Sequence, residues 1–203
     1  MLELDHIAVL GESLEEAVAH VEQALNWPMQ PGGQHLRFAT HNSLLGIHPG
    51  LYIEAIAADP GLPHPARPRW FGLDSFHGPP RLDKWVLRTP DLDRTLKAFP
   101  MAGEIVSLER GDLRWRMAVP LDGMLPFDGV FPALMEWQVS VPPGKSLTKA
   151  DRRLERLVVT HPEADRLSAL LEPHLDAPLV AFEAGTPGLA AEIATAGGTV
   201  WLR

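Results

Sequence analysis

The chain has 203 residues, enough to bury a core without disulfide or metal staples, and its length suits one domain or two small ones. It has no cysteine, which removes disulfides, iron–sulfur clusters, thiolate zinc sites and a cysteine nucleophile. Its 18 Lys and Arg against 26 Asp and Glu leave a net charge of −8, the wrong sign for a general nucleic-acid binder, and no apolar run approaches the roughly 20 residues that span a bilayer.

The first predicted element is a strand over Leu4–Leu10, with His6, Ala8 and Leu10 on one face and Ile7 and Val9 on the other. Ser13 and Glu16 form a capping-box pattern, and Leu14, Ala17, Val18, Val21 and Leu25 recur at helical spacing. Strand-like segments follow at Leu36–Thr40, Ser43–Ile47 and Leu51–Ala57, with His48–Pro49–Gly50 as a turn. His35 and His48 flank turns and are expected at the surface; Gly32–Gly33 reads only as a turn.

The same unit then repeats. Leu82–Leu87 is a second strand, Asp91–Phe99 a second helix, and Glu104–Leu108, Leu113–Val119 and Ala133–Val139 are three more strands. Lys84 stands where His6 stood, 78 residues earlier (84 − 6). A third, shorter copy begins with the strand Leu154–Val159, with Thr160 and Glu163 as its capping box. Its helix carries Leu167, Leu170, Leu171 and Leu175, and its strands are Leu179–Glu183, Leu189–Thr195 and Thr199–Arg203. The expected organisation is therefore a first βαβββ unit over 1–58, a Pro/Gly-rich loop over 59–80, a second unit over 81–142 and a third over 150–203. A second, shorter insertion covers 120–132. Helices packed on one face of a mainly antiparallel sheet make an α+β fold.

The opening Leu4-Asp5-His6-Ile7, with Thr40-His41-Asn42, Tyr52-Ile53-Glu54 and the Trp85-Val86-Leu87-Arg88 start of unit two, resembles the glyoxalase-like members of the vicinal-oxygen-chelate superfamily. The repeat order carries more of this resemblance than any single motif. It implies a cup-shaped mixed sheet with helices outside, binding a small oxygen-rich molecule. It also implies a divalent metal (Fe, Mn, Ni or Zn) held by the first and last strands of the units. Carried over, the ligands are His6, Glu54 and Glu136, with Lys84 replacing an expected histidine. A protonated ammonium has no lone pair for a metal. Two readings stay open: a metal-dependent isomerase, lyase or dioxygenase, or a metal-free binding protein of the bleomycin-resistance kind in which Lys84 pairs with a carboxylate.

His41 and Lys84 are the candidate acid–base residues. Asn42 and Tyr52 are candidate substrate contacts in the cup, and Arg69 and Trp70 are candidate contacts from the long loop. Arg114 and Arg116 alternate with Leu113, Trp115 and Met117; they either face the cup and grip an anion or form a solvated edge. The third unit either extends the sheet or pairs with a second copy of the chain in a homodimer. The residues show no G-x-S-x-G elbow, Walker loop, G-x-G-x-x-G or H-E-x-x-H. With no basic or apolar leader pattern after Met1, the expected placement is cytoplasmic, without nucleic-acid or membrane partners.

Overall fold

A computed structural model describes residues 1–203. Strand β1 (Leu2–Leu10) leads into helix α1 (Leu14–Leu25), which Ser13 caps by accepting a hydrogen bond from the Glu16 amide. Ala17, Val21 and Leu25 form its buried stripe, as the spacing predicts. Strands β2 (Gln30–His35), β3 (Thr40–His48) and β4 (Leu51–Ala58) complete the first unit. The first of these lies earlier than the expected Leu36–Thr40, because Pro31–Gly32–Gly33 is part of a strand and not a turn.

The second unit is β5 (Arg81–Arg88), α2 (Leu92–Ala98), β6 (Glu104–Arg110), β7 (Leu113–Val119) and β8 (Ala133–Trp137). A four-residue helix, α3 (Pro143–Ser146), precedes the last segment: β9 (Lys149–Thr160), α4 (Ala164–Leu171), β10 (Leu175–Asp176), β11 (Val180–Glu183), β12 (Gly188–Thr195) and β13 (Gly198–Leu202). The expected Thr160–Glu163 box does not form. Thr160 stays in the sheet and donates to the Gly188 carbonyl, and the Glu163 amide is taken by His161 Nδ1.

All strands join one open, mixed sheet of 13, with a main path β13-β12-β9-β3-β4-β1-β5-β8-β7-β6. In units one and two the first strand pairs in parallel with the last, β1 with β4 and β5 with β8. The units meet through antiparallel β1 and β5. The third segment extends this sheet through β9, which runs parallel to β3. Its internal pairing differs: β9 lies parallel to β11 and antiparallel to β12. This is the α+β cup with outer helices that the repeats imply.

Period-2 alternation separates two apolar clusters on the two faces. The outer one joins Ile7, Val9, Ile53 and Leu87 to the helices through Ala17, Val21, Leu92 and Leu167. The inner one lies within the cup: Ala8, Leu10, Ile56, Val86, Met117 and Met135 meet Trp70, Phe71, Leu73 and Phe76 of the Pro/Gly-rich loop. That loop therefore closes over the cup. No helix is long and apolar enough to cross a membrane.

Candidate functional site

The inner face of unit one carries the polar groups. β1 and β4 place His6 opposite Tyr52 and Ala8 opposite Glu54, so all three side chains share the cup. Between Leu4 and His6 the β1–β5 register slips by one residue. That bulge at Asp5 re-aims a side chain that simple alternation would send outward. Asp5 Oδ1 lies 2.7 Å from His6 Nδ1, and Glu54 Oε2 lies 3.5 Å from His6 Nε2. Tyr52 stacks on the imidazole at 4.4 Å. The Asn42 amide donates to Glu54 Oε1 at 2.5 Å, and Trp137 Nε1 donates to Asp5 Oδ2 at 2.9 Å.

Burial alone would push the His6 imidazole down, but hydrogen bonds to Asp5 and Glu54 outweigh it and hold the pKa at about 9. Burial likewise works against both carboxylates, and the bonds to His6 keep Asp5 and Glu54 below the usual carboxylate range. His35 goes the other way: burial, with Arg110 beside it, takes it down to about 4 against the pull of Glu54. At neutral pH the cup thus holds an imidazolium between two carboxylates and a neutral His35.

Arg110 enters from the opposite side, at the tip of the β6–β7 hairpin of unit two. Its Nη1 donates to Asn42 Oδ1 at 2.7 Å and lies 3.2 Å from His35 Nε2. Two glycines of unit one make room. A Cβ on Gly33 would meet Arg110 Cδ at 2.8 Å, and one on Gly32 would meet Asn42 Oδ1 at 2.0 Å. The pair expected to be only a turn is thus a strand segment on which another side chain and a hairpin tip close in. The resulting cleft is narrow: about 430 Å³ of space lies between its walls and in its open mouth, of which about 40 Å³ admits the centre of a water molecule. His6, His35, Asn42, Glu54 and Arg110 are its polar lining; Tyr52, Trp70, Phe71, Trp115 and Trp137 supply aromatic walls.

Of the residues singled out by sequence, the structure brings His6, Glu54, Asn42, Tyr52 and Trp70 to this cleft. The others lie elsewhere. Glu136 is out of phase: Met135 faces the cup, whereas Glu136 accepts from Arg116 at 2.6 Å and from the Leu92 amide at the start of α2. The repeat register explains the mismatch. Ala8 opposite Glu54 corresponds to Val86 opposite Ala133, so Ala133 occupies the Glu54 position. Lys84 is tied to the Asp83 carboxylate and lines a different pocket with Asp128 and Gly129.

His41 alternates with Asn42 and Leu44, which line the cleft; its own Nδ1 lies 3.8 Å from Asp59 outside it. Arg114 pairs with Glu109, and Arg116 with Asp93 and Glu136, because Trp115 and Met117 take the inner phase. Arg69 is held by Asp74 and the Ala39 carbonyl, so only its neighbour Trp70 lines the cleft. Sequence reasoning missed Asp5, His35, Arg110, Trp115 and Trp137. His35 is 5% exposed and not at the surface, since β2 begins earlier than expected.

The chain matches the family model described as a glyoxalase-like domain over residues 4–175, and so over most of its length. The chain belongs to the glyoxalase-like domain family. Among solved structures, a hypothetical protein from Staphylococcus aureus aligns with a TM-score of 0.65 and 14% identity, covering 100% of this chain and 99% of that one. Methylmalonyl-CoA epimerase from Mycobacterium tuberculosis aligns at a TM-score of 0.41 and 18% identity, over 66% of this chain and 85% of that one. The 2,2',3-trihydroxybiphenyl 1,2-dioxygenase from Sphingomonas wittichii strain RW1 aligns at 0.48 and 14%, over 97% and 74%. No curated protein matches by sequence.

The glyoxalase-like family raises the question of a metal, and the donor set of this member does not fit one. No three His, Asp or Glu side chains converge on a point that could hold an ion. Glu136 faces α2, Lys84 has no lone pair when charged, and Ala133 has no donor at all. The other imidazole of the cleft, His35, has its Nε2 taken up by the guanidinium of Arg110. Around the cleft the Asp5 and Glu54 carboxylates face the His6 imidazolium and the Arg110 guanidinium, so no excess negative charge is assembled for a divalent ion.

Proposed function

We propose that this chain is a metal-independent small-molecule-binding protein whose ligand sits in the unit one–unit two cup. The observation that carries the reading is Arg110. It occupies the polar end of the cleft against Asn42 and His35, where a metal site would need a further donor. The aromatic walls offer a ligand the mostly apolar enclosure, with a few convergent polar groups, typical of small-molecule sites.

A second reading, proton transfer to a bound ligand, is favoured by the His6–Glu54 gap. At 3.5 Å it is at the long, weak end of a hydrogen bond, so a ligand oxygen can compete with Glu54 for the imidazolium N–H. Asp5 would then hold the ring orientation through Nδ1. In this reading the acid is His6, in place of the His41 and Lys84 that the sequence offers.

Metal content of purified protein by plasma mass spectrometry tests the principal reading. The expected result is substoichiometric metal in wild type and in Glu54→Ala, with no rise in melting temperature on adding Mn, Fe, Ni or Zn. Stoichiometric metal that disappears in Glu54→Ala would overturn it.

A further inference from the structure

Two groups in the cleft have unused capacity to bind a ligand. Arg110 has no carboxylate within ion-pair distance, unlike Arg69, Arg81, Arg88, Arg114 and Arg116. One of its amino groups is anchored by the neutral Asn42 side chain, which in turn is fixed by the Gly33 amide at 3.0 Å and by Glu54. The guanidinium is therefore positioned by neutral groups, without a direct ion pair. Trp70 is 4% exposed and lines the same cleft, yet its indole N–H has no acceptor anywhere in the protein. A buried donor left unpaired is costly, and such a group calls for a partner. His35 lies between the two: it packs edge-on to Trp70 at 5.0 Å and faces Arg110 at 3.2 Å.

We infer that the ligand is a small aromatic carboxylate, its anion held by Arg110, a ligand oxygen accepting from the Trp70 indole, and its ring lying among Tyr52, Trp115 and Trp137. This rests on the proposed small-molecule cup and names its ligand class. An oxyanion suits a planar guanidinium through paired N–H bonds, roughly twice as strong as neutral ones. The ring complements walls that are mainly aromatic or thioether, with Met117 and Met135 beside the rings. A divalent cation in the same space would be repelled by Arg110.

The test titrates the full chain with benzoate and with its neutral counterpart benzyl alcohol, following tryptophan fluorescence and calorimetry. Wild type is expected to bind benzoate at least 10-fold more tightly than benzyl alcohol. Arg110→Gln should remove that preference by weakening benzoate at least 10-fold, and an unchanged near-ultraviolet circular dichroism spectrum shows that the aromatic walls have kept their packing. Trp70→Phe, which keeps a ring and loses the N–H, should weaken benzoate several-fold. Equal binding of the two probes, or a benzoate preference that survives Arg110→Gln, would overturn the carboxylate assignment and leave the small-molecule cup standing. Failure of both probes to bind wild type would overturn the aromatic class and count against the cup reading itself.

Discussion

Units one and two begin with the same local device and end in different chemistry. Asp5–His6 and Asp83–Lys84 stand 78 residues apart (83 − 5), each at a one-residue slip in the same antiparallel pairing. In each, the aspartate grips the basic residue that follows it. The difference lies in what the neighbouring last strand offers. β4 brings Glu54 to His6, whereas β8 presents Ala133 at the corresponding register. Unit one thus keeps a buried charge cluster inside an aromatic cleft. Unit two keeps an ion pair beside Gly129 and contributes walls and Arg110 to its neighbour's site. A repeat can conserve backbone geometry while a single residue on an adjacent strand decides whether that geometry becomes a site.

The largest effect that would sharpen this contrast is expected from Glu54→Ala. It leaves His6 buried with one carboxylate instead of two and strips Asn42 of its acceptor. Removing one partner of a buried pair typically costs about 3–5 kcal/mol, and a denaturant melt should show a loss at the lower end of that range, since Asp5 remains. A loss below about 1 kcal/mol would mean the His6 cluster is not the charged assembly described here.

Gly32→Ala comes next. Its Cβ would fall 2.0 Å from Asn42 Oδ1 and 2.7 Å from the Asn42 carbonyl, and a backbone atom cannot swing away. Overpacking of this kind costs about 1–3 kcal/mol. The expected signature is a melting loss together with weaker ligand binding, because Asn42 positions Arg110. Gly197→Ala, whose nearest contact would be at 3.8 Å, is the matched control and should be silent.

These two cases show what the sequence made legible. The repeat, the strand faces of β1 and β4, and hence His6, Tyr52 and Glu54 follow from period-2 alternation that those strands obey. Alternation fails at a bulge, so Asp5 was invisible until the β1–β5 register was known. It fails again when a strand is anchored at the wrong residue. Reading β8 for its carboxylate favoured Glu136, although Met135 and Trp137 hold the inner phase. On β7, likewise, Trp115 and Met117 hold the inner phase, which leaves Arg114 and Arg116 on the other face, the second of the two alternatives left open. Arg110 carries no local signal, since a hairpin tip becomes part of a site only through the fold. Its trace was indirect: a Gly–Gly pair inside a strand marks a close approach.

Smaller in energy, though sharp in readout, is the titration of two histidines in one cleft. His6 should remain protonated well above neutral pH, with a midpoint near 9, and His35 should remain neutral down to about 4. NMR of the imidazole carbons reads both. The signs oppose each other. The His6 contribution to stability is fully present below its unfolded pKa of about 6.5 and fades as pH rises through 9. The His35 contribution is present above about 6.5 and fades as pH falls toward 4. Glu54→Gln should bring the His6 midpoint down; a midpoint that stays put would assign its elevation to Asp5 alone.

The smallest effect is expected from Lys84→Met, and it bears most directly on the asymmetry between the units. Lys84 is as buried as His6, at 5% and 6% exposure, so burial alone would rank the two alike. What separates them is the state of the partner left behind. Asp83 still has Arg81 at 2.9 Å and is the more exposed member of its pair, so losing the ammonium strands no buried charge. Methionine keeps the apolar stem and loses only the ammonium that lies beside Gly129. The loss should therefore stay below about 1 kcal/mol, and benzoate binding should match wild type, because Lys84 does not line the cleft. If Lys84→Met instead cost as much as Glu54→Ala, or altered ligand binding, unit two would hold a working site of its own and the division of roles between the repeats would fail.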